Sequence, residues 1–423
     1  MILIKNGHLI NPENGDEYEG NLLVGDDGRI AKISKEDIKV DDRCSVIDAS
    51  NLVVTSGFVD AHVHFRDPGQ THKEDILTGA KAAAKGGFTS VIMMGNTIPR
   101  MDNADTIRYA LKKGRTTGIN VYCCANATKN MSGKEITDFD SLVEAGAVLF
   151  TDDGVPIRDA KLMEEICVQV AKKNMVLSLH EENPEYIKEN GINSGKIAEN
   201  LGLTGSDRMA EISMVERDIE ISRKTGANLT IQHISTKEAV DMIREARKEG
   251  VNIHAEATPH HFTLTQDAVL KYGTYAKMNP PLRLESDRQA IIEGLTDGTI
   301  EMVATDHAPH SIEEKNQDFV KAPSGIIGLE TSFSLGLREL VQKNHMSLAT
   351  LLNRMSYGAA NLYNLPAGKL REGESADLVI IDLNKEWVCD KFCSKACNSP
   401  FTGEVLPGVI MYTICNGKVV YKG

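Results

Sequence analysis

The chain has 423 residues, 41% hydrophobic and 25% charged, with a formal net charge of −13. That profile is a folded globular protein's, long enough for one large domain with a small one. The acidic balance argues against a nucleic-acid partner, which asks for a basic face, but a few local cations suffice to hold an anionic substrate. No apolar run approaches the ~20 residues needed to cross a bilayer. No basic segment followed by an apolar one marks a secretory signal. The eight cysteines form no dense disulfide pattern, so reduced thiols in the cytoplasm are expected. Cys389, Cys393 and Cys397 are evenly spaced, yet the spacing matches none of the usual zinc pairs, and they read as loop thiols.

Residues 1–54 contain short strand patterns, Leu3–Lys5, Leu22–Val24, Ile30–Ile33 and Val46–Ile47, broken by Asn-Gly and Asp-Gly turns. From Phe58 onward the style changes. Strand-type runs at Phe58–His64, Thr89–Met94, Asn120–Ala125, Ala147–Thr151, Val176–His180, Asn228–His233, Val251–Glu256 and Glu301–Asp306 alternate with helical patterns. The helical spacing covers Asp75–Lys85, Ala104–Lys113, Lys161–Lys173, Ala210–Thr225, Lys237–Lys248 and Ser286–Glu293. The first of these stops at Gly86-Gly87. Eight strands in alternation with helices predict a (β/α)8 TIM-type barrel, class α/β, over residues 55–367. Residues 368–423 return to the style of the beginning, with strands at Ala376–Asp382, Val409–Cys415 and Lys418–Tyr421. The two ends, 1–54 and 368–423, are therefore expected to build one small β-sandwich domain.

Catalytic residues of such barrels sit at the C-terminal ends of the strands. His62 and His64 end the first strand and, two apart, turn their rings to one side. Asp153 follows the fourth, His180 ends the fifth, His233 the sixth and Asp306 the eighth. Imidazole nitrogens and carboxylate oxygens are what zinc prefers at catalytic sites. A single histidine at a strand end is ordinarily structural; six ligand-type side chains at strand ends point to a metal centre. Asp152 competes with Asp153 for the central position. Asp60 reads either as an acceptor that orients a ligand or as barrel filling. His8, His72, His254, His260, His261 and His345 read as structural.

The motifs Asp-Ala-His-Val-His-Phe-Arg-Asp-Pro-Gly at 60–69, Met-Met-Gly-Asn-Thr at 93–97, Phe-Thr-Asp-Asp-Gly at 150–154, Met-Asn-Pro-Pro-Leu-Arg at 278–283 and Ala-Thr-Asp-His-Ala-Pro-His at 304–310 resemble the amidohydrolase superfamily. Within it they look like the class I dihydroorotases, the bacterial type with an aspartate after strand four. The resemblance runs over essentially the whole chain. It implies reversible, zinc-dependent cyclisation of N-carbamoyl-L-aspartate to L-dihydroorotate, the third step of pyrimidine synthesis. It implies two zinc ions: one held by His62, His64 and Asp306, the second by His180 and His233, with Asp153 bridging. Many superfamily relatives bridge with a carboxylated lysine, and Ala147–Gly154 contains none. The resemblance also implies that Arg66, Asn96 and His310 grip the substrate α-carboxylate and that Asn279 recognises the ureido or ring atoms. His64 lies beside the substrate, and the backbone near Ser324 and Gly325 assists. Asp306 moves the proton between attacking water and leaving nitrogen. A homodimer is the expected assembly, and some relatives dock with an aspartate transcarbamoylase.

Two other readings are weighed. A hydantoinase or allantoinase would share the fold, but the absent lysine and the trio of Arg66, Asn96 and His310 argue against it. A non-catalytic scaffold for a transcarbamoylase would have lost metal ligands, which this chain keeps. The loop from His310 to Gly325, with Glu313-Glu314-Lys315-Asn316, reads as a lid over the site or as a surface excursion.

Overall fold

In the computed structural model, which describes residues 1–423, both ends of the chain enter a single sheet and the middle forms a barrel. The N-terminal end supplies β1 (Ile2–Ile10), β2 (Glu17–Val24), β3 (Ile30–Ser34), β4 (Ser45–Asp48) and β5 (Val53–Ser56). The barrel strands are β6 (Phe58–Val63), β7 (Phe88–Met93), β8 (Asn120–Ala125), β9 (Ala147–Phe150), β10 (Val176–Leu179), β11 (Asn228–Ile231), β12 (Ile253–Ala257) and β13 (Met302–Val303). The C-terminal end adds β14 (Leu378–Val388), β15 (Val405–Cys415) and β16 (Lys418–Lys422).

β6 to β13 pair in sequence order, every pair parallel. Every residue of β6, β7 and β10 is buried, as strands covered on both faces require. Helices follow them at Ile76–Lys85, Ala104–Gly114, Ala160–Lys172, Met209–Thr225, Lys237–Lys248 and Glu285–Asp297. Asp75, Asn103, Asp159 and Thr236 cap four of these by accepting from backbone N–H groups of the first turn, each cap worth about 1 kcal/mol. A second apolar cluster joins residues near the strand starts, Val59, Val176 and Met302, to Ala359, Ala360 and Tyr363. This seals the N-terminal end of the barrel and leaves the opposite mouth for chemistry.

The first and last barrel strands meet without a regular ladder. Val63 bridges to His307, and His64 N donates to His307 O at 2.9 Å. Below this, the Asp60 carboxylate accepts from His62 N at 3.0 Å, Thr305 N at 3.1 Å and the Thr305 hydroxyl at 2.6 Å. Asp60 thus fastens the backbones that carry His62 and Asp306. It touches no ligand ring.

The outer sheet runs β16-β15-β14-β5-β1-β2-β3, with β4 beside β1. β5 was not expected as a strand, and the expected boundary between residues 54 and 55 falls inside it. The chain leaves this sheet through β5 and re-enters through β14, and these two strands pair antiparallel, Val54 opposite Ile380. Val53, Val379 and Ile381 belong to the main core. Val54, Leu378 and Ile380 turn to the sheet's own core with Ile4, Leu9 and Leu22.

Replacing Asp60 with Ala would strand three buried donors at the seam. Asp60→Ala is expected to lower the unfolding free energy by about 2–4 kcal/mol, read as a shifted urea midpoint. An unchanged midpoint would show that the barrel closes without this carboxylate.

Candidate metal centre

Four histidines and two aspartates from five strand ends meet at the barrel mouth. His62, His64 and Asp153 bring one ligand-type atom each to within 4.8 Å of one another, and so do Asp153, His180 and His233. Asp153 belongs to both groups. Its Oδ1 lies 3.5 Å from His62 Nε2, 3.7 Å from His180 Nδ1 and 3.9 Å from His233 Nε2, and its Oδ2 lies 3.5 Å from His64 Nε2. Asp306 Oδ1 stands 2.9 Å from His64 Nε2 and 3.6 Å from His62 Nε2. Its neighbour Asp152 turns the other way. It accepts from Ala127 N at 2.9 Å, Thr128 N at 3.1 Å and the Thr128 hydroxyl, so it braces the loop after β8.

The second nitrogen of three rings is spoken for. His62 Nδ1 lies 2.5 Å from Glu256 Oε1, His64 Nδ1 3.0 Å from Asn96 Oδ1, and His180 Nε2 3.1 Å from Glu182 Oε2. Each acceptor holds a proton on that nitrogen and leaves the other nitrogen's lone pair facing Asp153. His62 Nε2 is buried with no hydrogen-bond partner. The facing nitrogens of His180 and His233 lie 2.9 Å apart. Two nitrogen-nitrogen-oxygen triads with an orphaned inward nitrogen are a donor set that fits a divalent transition metal.

Burial opposes the charge on Asp153, yet His62, His64 and His180 together hold its carboxyl well below the usual range. Burial, then His180 and His62, push the His233 imidazole far down. Three residues of the site have left-handed backbone: Arg66 at φ 57°, His233 at φ 32° and Asp306 at φ 47°. Such conformations cost on the order of 1–3 kcal/mol each and persist where surrounding structure enforces them.

A polar cavity of roughly 330 Å³ opens beside the metal-type ligands. His64, Asp153, His180, His233 and Asp306 line it, as do the other six expected substrate contacts: Arg66, Asn96, Asn279, His310, Ser324 and Gly325. His62 stands behind this wall, wholly buried. The Arg66 guanidinium has no carboxylate partner; its Nε reaches Pro309 O at 3.4 Å and its Nη2 sits 3.4 Å from His310 Nε2. Asp67 holds the turn that aims it, through Lys113 at 2.6 Å and the Tyr109 hydroxyl at 3.0 Å. His310 Nε2 donates to Ser324 O at 3.0 Å. Burial, then the Arg66 charge, push its imidazole down to about 2, which leaves it neutral. Asn96 also donates to Asp153 Oδ2 at 3.3 Å, so it touches both the ligand set and the anion pocket. Asn279 Oδ1 accepts from the Ser324 hydroxyl at 3.3 Å. Gly325 has φ 111°, and a Cβ there would lie 2.6 Å from Ala308 Cβ.

The loop from His310 to Gly325 is a pinned wall of this cavity. Lys277 is buried and donates to Phe319 O at 2.7 Å, Val320 O at 3.2 Å and Ala322 O at 2.7 Å. Lys315, also buried, donates to Pro323 O at 2.9 Å and Gly325 O at 3.0 Å. Burial pushes them down to about 8 and about 7. Asn398, from the segment between β14 and β15, donates to Ala308 O at 3.0 Å and Gly325 O at 3.1 Å.

Sequence reasoning missed Glu256, Glu182 and Lys277, and Asn190, which lines the cavity. Glu256 had a signal, a lone carboxylate at the end of a buried strand. Lys277 had none, since a lysine reads as surface until its neighbours are known. The histidines read as structural include His261, whose two nitrogens meet the Thr258 hydroxyl at 2.8 Å and Pro280 O at 3.0 Å. His254 pairs with Glu301 at 2.6 Å.

Comparison with known proteins identifies the family. Residues 53–420 match the model of the amidohydrolase family. The chain is 52% identical to a dihydroorotase of Clostridioides difficile over 100% of both chains, and 48% identical to one of Streptococcus pneumoniae with the same coverage. Among solved structures, an L-hydantoinase from Arthrobacter aurescens superposes with a TM-score of 0.89 at 27% identity, over 100% of this chain and 96% of the other. A D-hydantoinase from Thermus, at 24% identity and a TM-score of 0.84, shares the fold. The hydantoinases thus share the architecture at about half the identity that the dihydroorotases reach. The chain belongs to the amidohydrolase family and, within it, to the dihydroorotases.

Proposed function

We propose that this chain interconverts N-carbamoyl-L-aspartate and L-dihydroorotate, as a zinc-dependent dihydroorotase of class I. The observation that carries the reading is the meeting, in one cavity, of two metal-type triads sharing Asp153 with an arginine that has no carboxylate partner. Whole-chain identity of about half to dihydroorotases supports it. His62, His64 and Asp306 would hold one zinc, His180 and His233 the other, with Asp153 between them. Bound zinc would lower the pKa of water to about 7 and polarise the scissile carbonyl.

The remaining work falls to the chain's own groups. Arg66 and Asn96 offer donors to the substrate α-carboxylate, with the guanidinium supplying the charge, and neutral His310, whose one N–H goes to Ser324 O, stands beside Arg66 as part of the pocket wall. Asn279 and the backbone at Ser324 and Gly325 face the ureido or ring atoms. In ring opening, Asp306 takes a proton from the attacking water and passes it to the departing amide nitrogen. In ring closure it takes the proton from the ureido nitrogen as that nitrogen attacks the side-chain carboxyl, and returns it to the carboxyl oxygen that departs as water. One carboxylate serves both directions because the ligand cluster holds it at the reacting atoms. A cytoplasmic homodimer, docking with an aspartate transcarbamoylase as some relatives do, is part of the same reading, and sedimentation of the purified chain with and without that partner measures it.

The direct test follows L-dihydroorotate by ultraviolet absorbance on protein of measured zinc content. Turnover should vanish on chelation and return with zinc. Zinc-loaded chain that leaves dihydroorotate untouched but opens a hydantoin would replace the substrate assignment. Asp306→Asn should lower kcat by about 10²–10⁴-fold with an unchanged circular dichroism spectrum; retained turnover removes Asp306 from the chemistry. Arg66→Ala should raise KM by roughly 10–100-fold, the worth of a charge-assisted contact of about 1.5–3 kcal/mol. An unaltered KM would move the carboxylate elsewhere in the cavity.

A further inference from the structure

Glu256 is wholly buried on β12, a strand that contributes none of the six ligand-type residues. Its side chain nevertheless reaches both triads. Oε1 lies 2.5 Å from His62 Nδ1, in the first triad, and accepts from the backbone N of His233, in the second, at 3.2 Å. The backbone carbonyl of Glu256 accepts from Ile234 N at 3.0 Å. Two bonds from one residue therefore clamp the turn where His233 takes its left-handed conformation, φ 32°. Oε2 is buried and has no hydrogen-bond partner, so the carboxylate's protein hydrogen bonds all go to the ligand set. Glu182 makes an instructive contrast: its Oε2 reaches His180 Nε2 at 3.1 Å, which supports a ligand of the second triad alone.

We propose that Glu256 is a positioning residue for both halves of the metal centre. It fixes the His62 ring through Nδ1–H and the His233 backbone through N–H, so loss of this one carboxylate loosens both triads together. The inference rests on the two-metal reading above and deepens it. An acceptor behind a ligating histidine sets the tautomer and the ring orientation, and its removal typically costs about 10–100-fold in metal affinity. Here the same removal also frees a strained backbone, so the loss extends to a ligand the carboxylate never touches by its ring.

The test is stepwise zinc titration of the full chain against a chromophoric chelator, beside the melting temperature of the metal-free protein. Glu256→Ala is expected to weaken both zinc equivalents by about 10–100-fold. Glu256→Gln keeps an acceptor and should recover part of that loss at both. Glu182→Gln should weaken one equivalent and leave the other at the wild-type value. If Glu256→Ala does not fold, Glu256→Gln carries the test, with several-fold weakening of both equivalents expected. Wild-type affinity at either equivalent in Glu256→Gln, with Glu256→Ala unfolded, overturns the proposal. So does a Glu256→Ala loss confined to one equivalent, or a loss in Glu182→Gln that spreads to both. Wild-type chain that binds fewer than two zinc equivalents overturns the metal assignment itself, which the titration of the unaltered protein reveals first.

Discussion

Everything at the mouth of the barrel answers to one constraint: a single buried carboxylate, Asp153, must sit among imidazoles from β6, β10 and β11. Charge and nitrogen lone pairs packed that closely repel or collapse unless the backbone holds them. The barrel supplies the hold by anchoring each ligand at the end of a strand buried on both faces. The cost appears as left-handed backbone at His233 and Asp306. The compensation is the set of acceptors behind the rings, Glu256, Asn96 and Glu182, each of which leaves one lone pair aimed inward. Asp60 solves the same problem one layer down, by tying together the two strand ends that bear His62, His64 and Asp306.

The anion pocket is a local exception to an acidic protein. Arg66 enters it without a partner, and Lys277 and Lys315 stand just behind its wall, their charges spread over main-chain carbonyls. Net charge therefore says little about this ligand. What matters is that Arg66 carries no carboxylate partner, so its charge is left for a ligand in the cavity. The same carbonyls fix Ser324 and Gly325 in place, and shape and electrostatics come from one device.

The ligands were legible in the sequence because each closes a strand-like run, and a strand's end is where this kind of barrel does its chemistry. The end of the first barrel helix was legible too, because Gly86-Gly87 stops the helical pattern there. Glu256 had a signal of position, at the end of the strand-like run Val251–Glu256, but nothing in Ile-His-Ala-Glu-Ala names its partners His62 and His233. The role of Asp60 was left open for a similar reason: its donors at Thr305 lie 245 positions away. Asp152 and Asp153 differ only in which way the chain turns after β9, and adjacent carboxylates carry no trace of that. The loop after His310 resembled a mobile segment by composition, yet two buried lysines and Asn398 fasten it through backbone carbonyls, contacts that no local pattern announces. β5 escaped notice because four residues before a glycine are too short a run to declare themselves.

The pairing of β5 with β14 has a consequence for synthesis. The chain leaves the outer sheet at Ser56 and returns at Leu378. During translation at about 5–20 residues per second, β5 waits roughly 15–65 s for the strand that will cover its edge. Through that interval the N-terminal strands present an open ladder of N–H and C=O groups, the arrangement most prone to wrong pairing. Within the barrel each strand pairs with its successor, and only β6 waits, for the seam it makes with the segment after β13. The nascent chain thus completes its catalytic half before the sheet that frames it, and a stall between the two leaves a barrel with its ligands in place beside an unfinished edge.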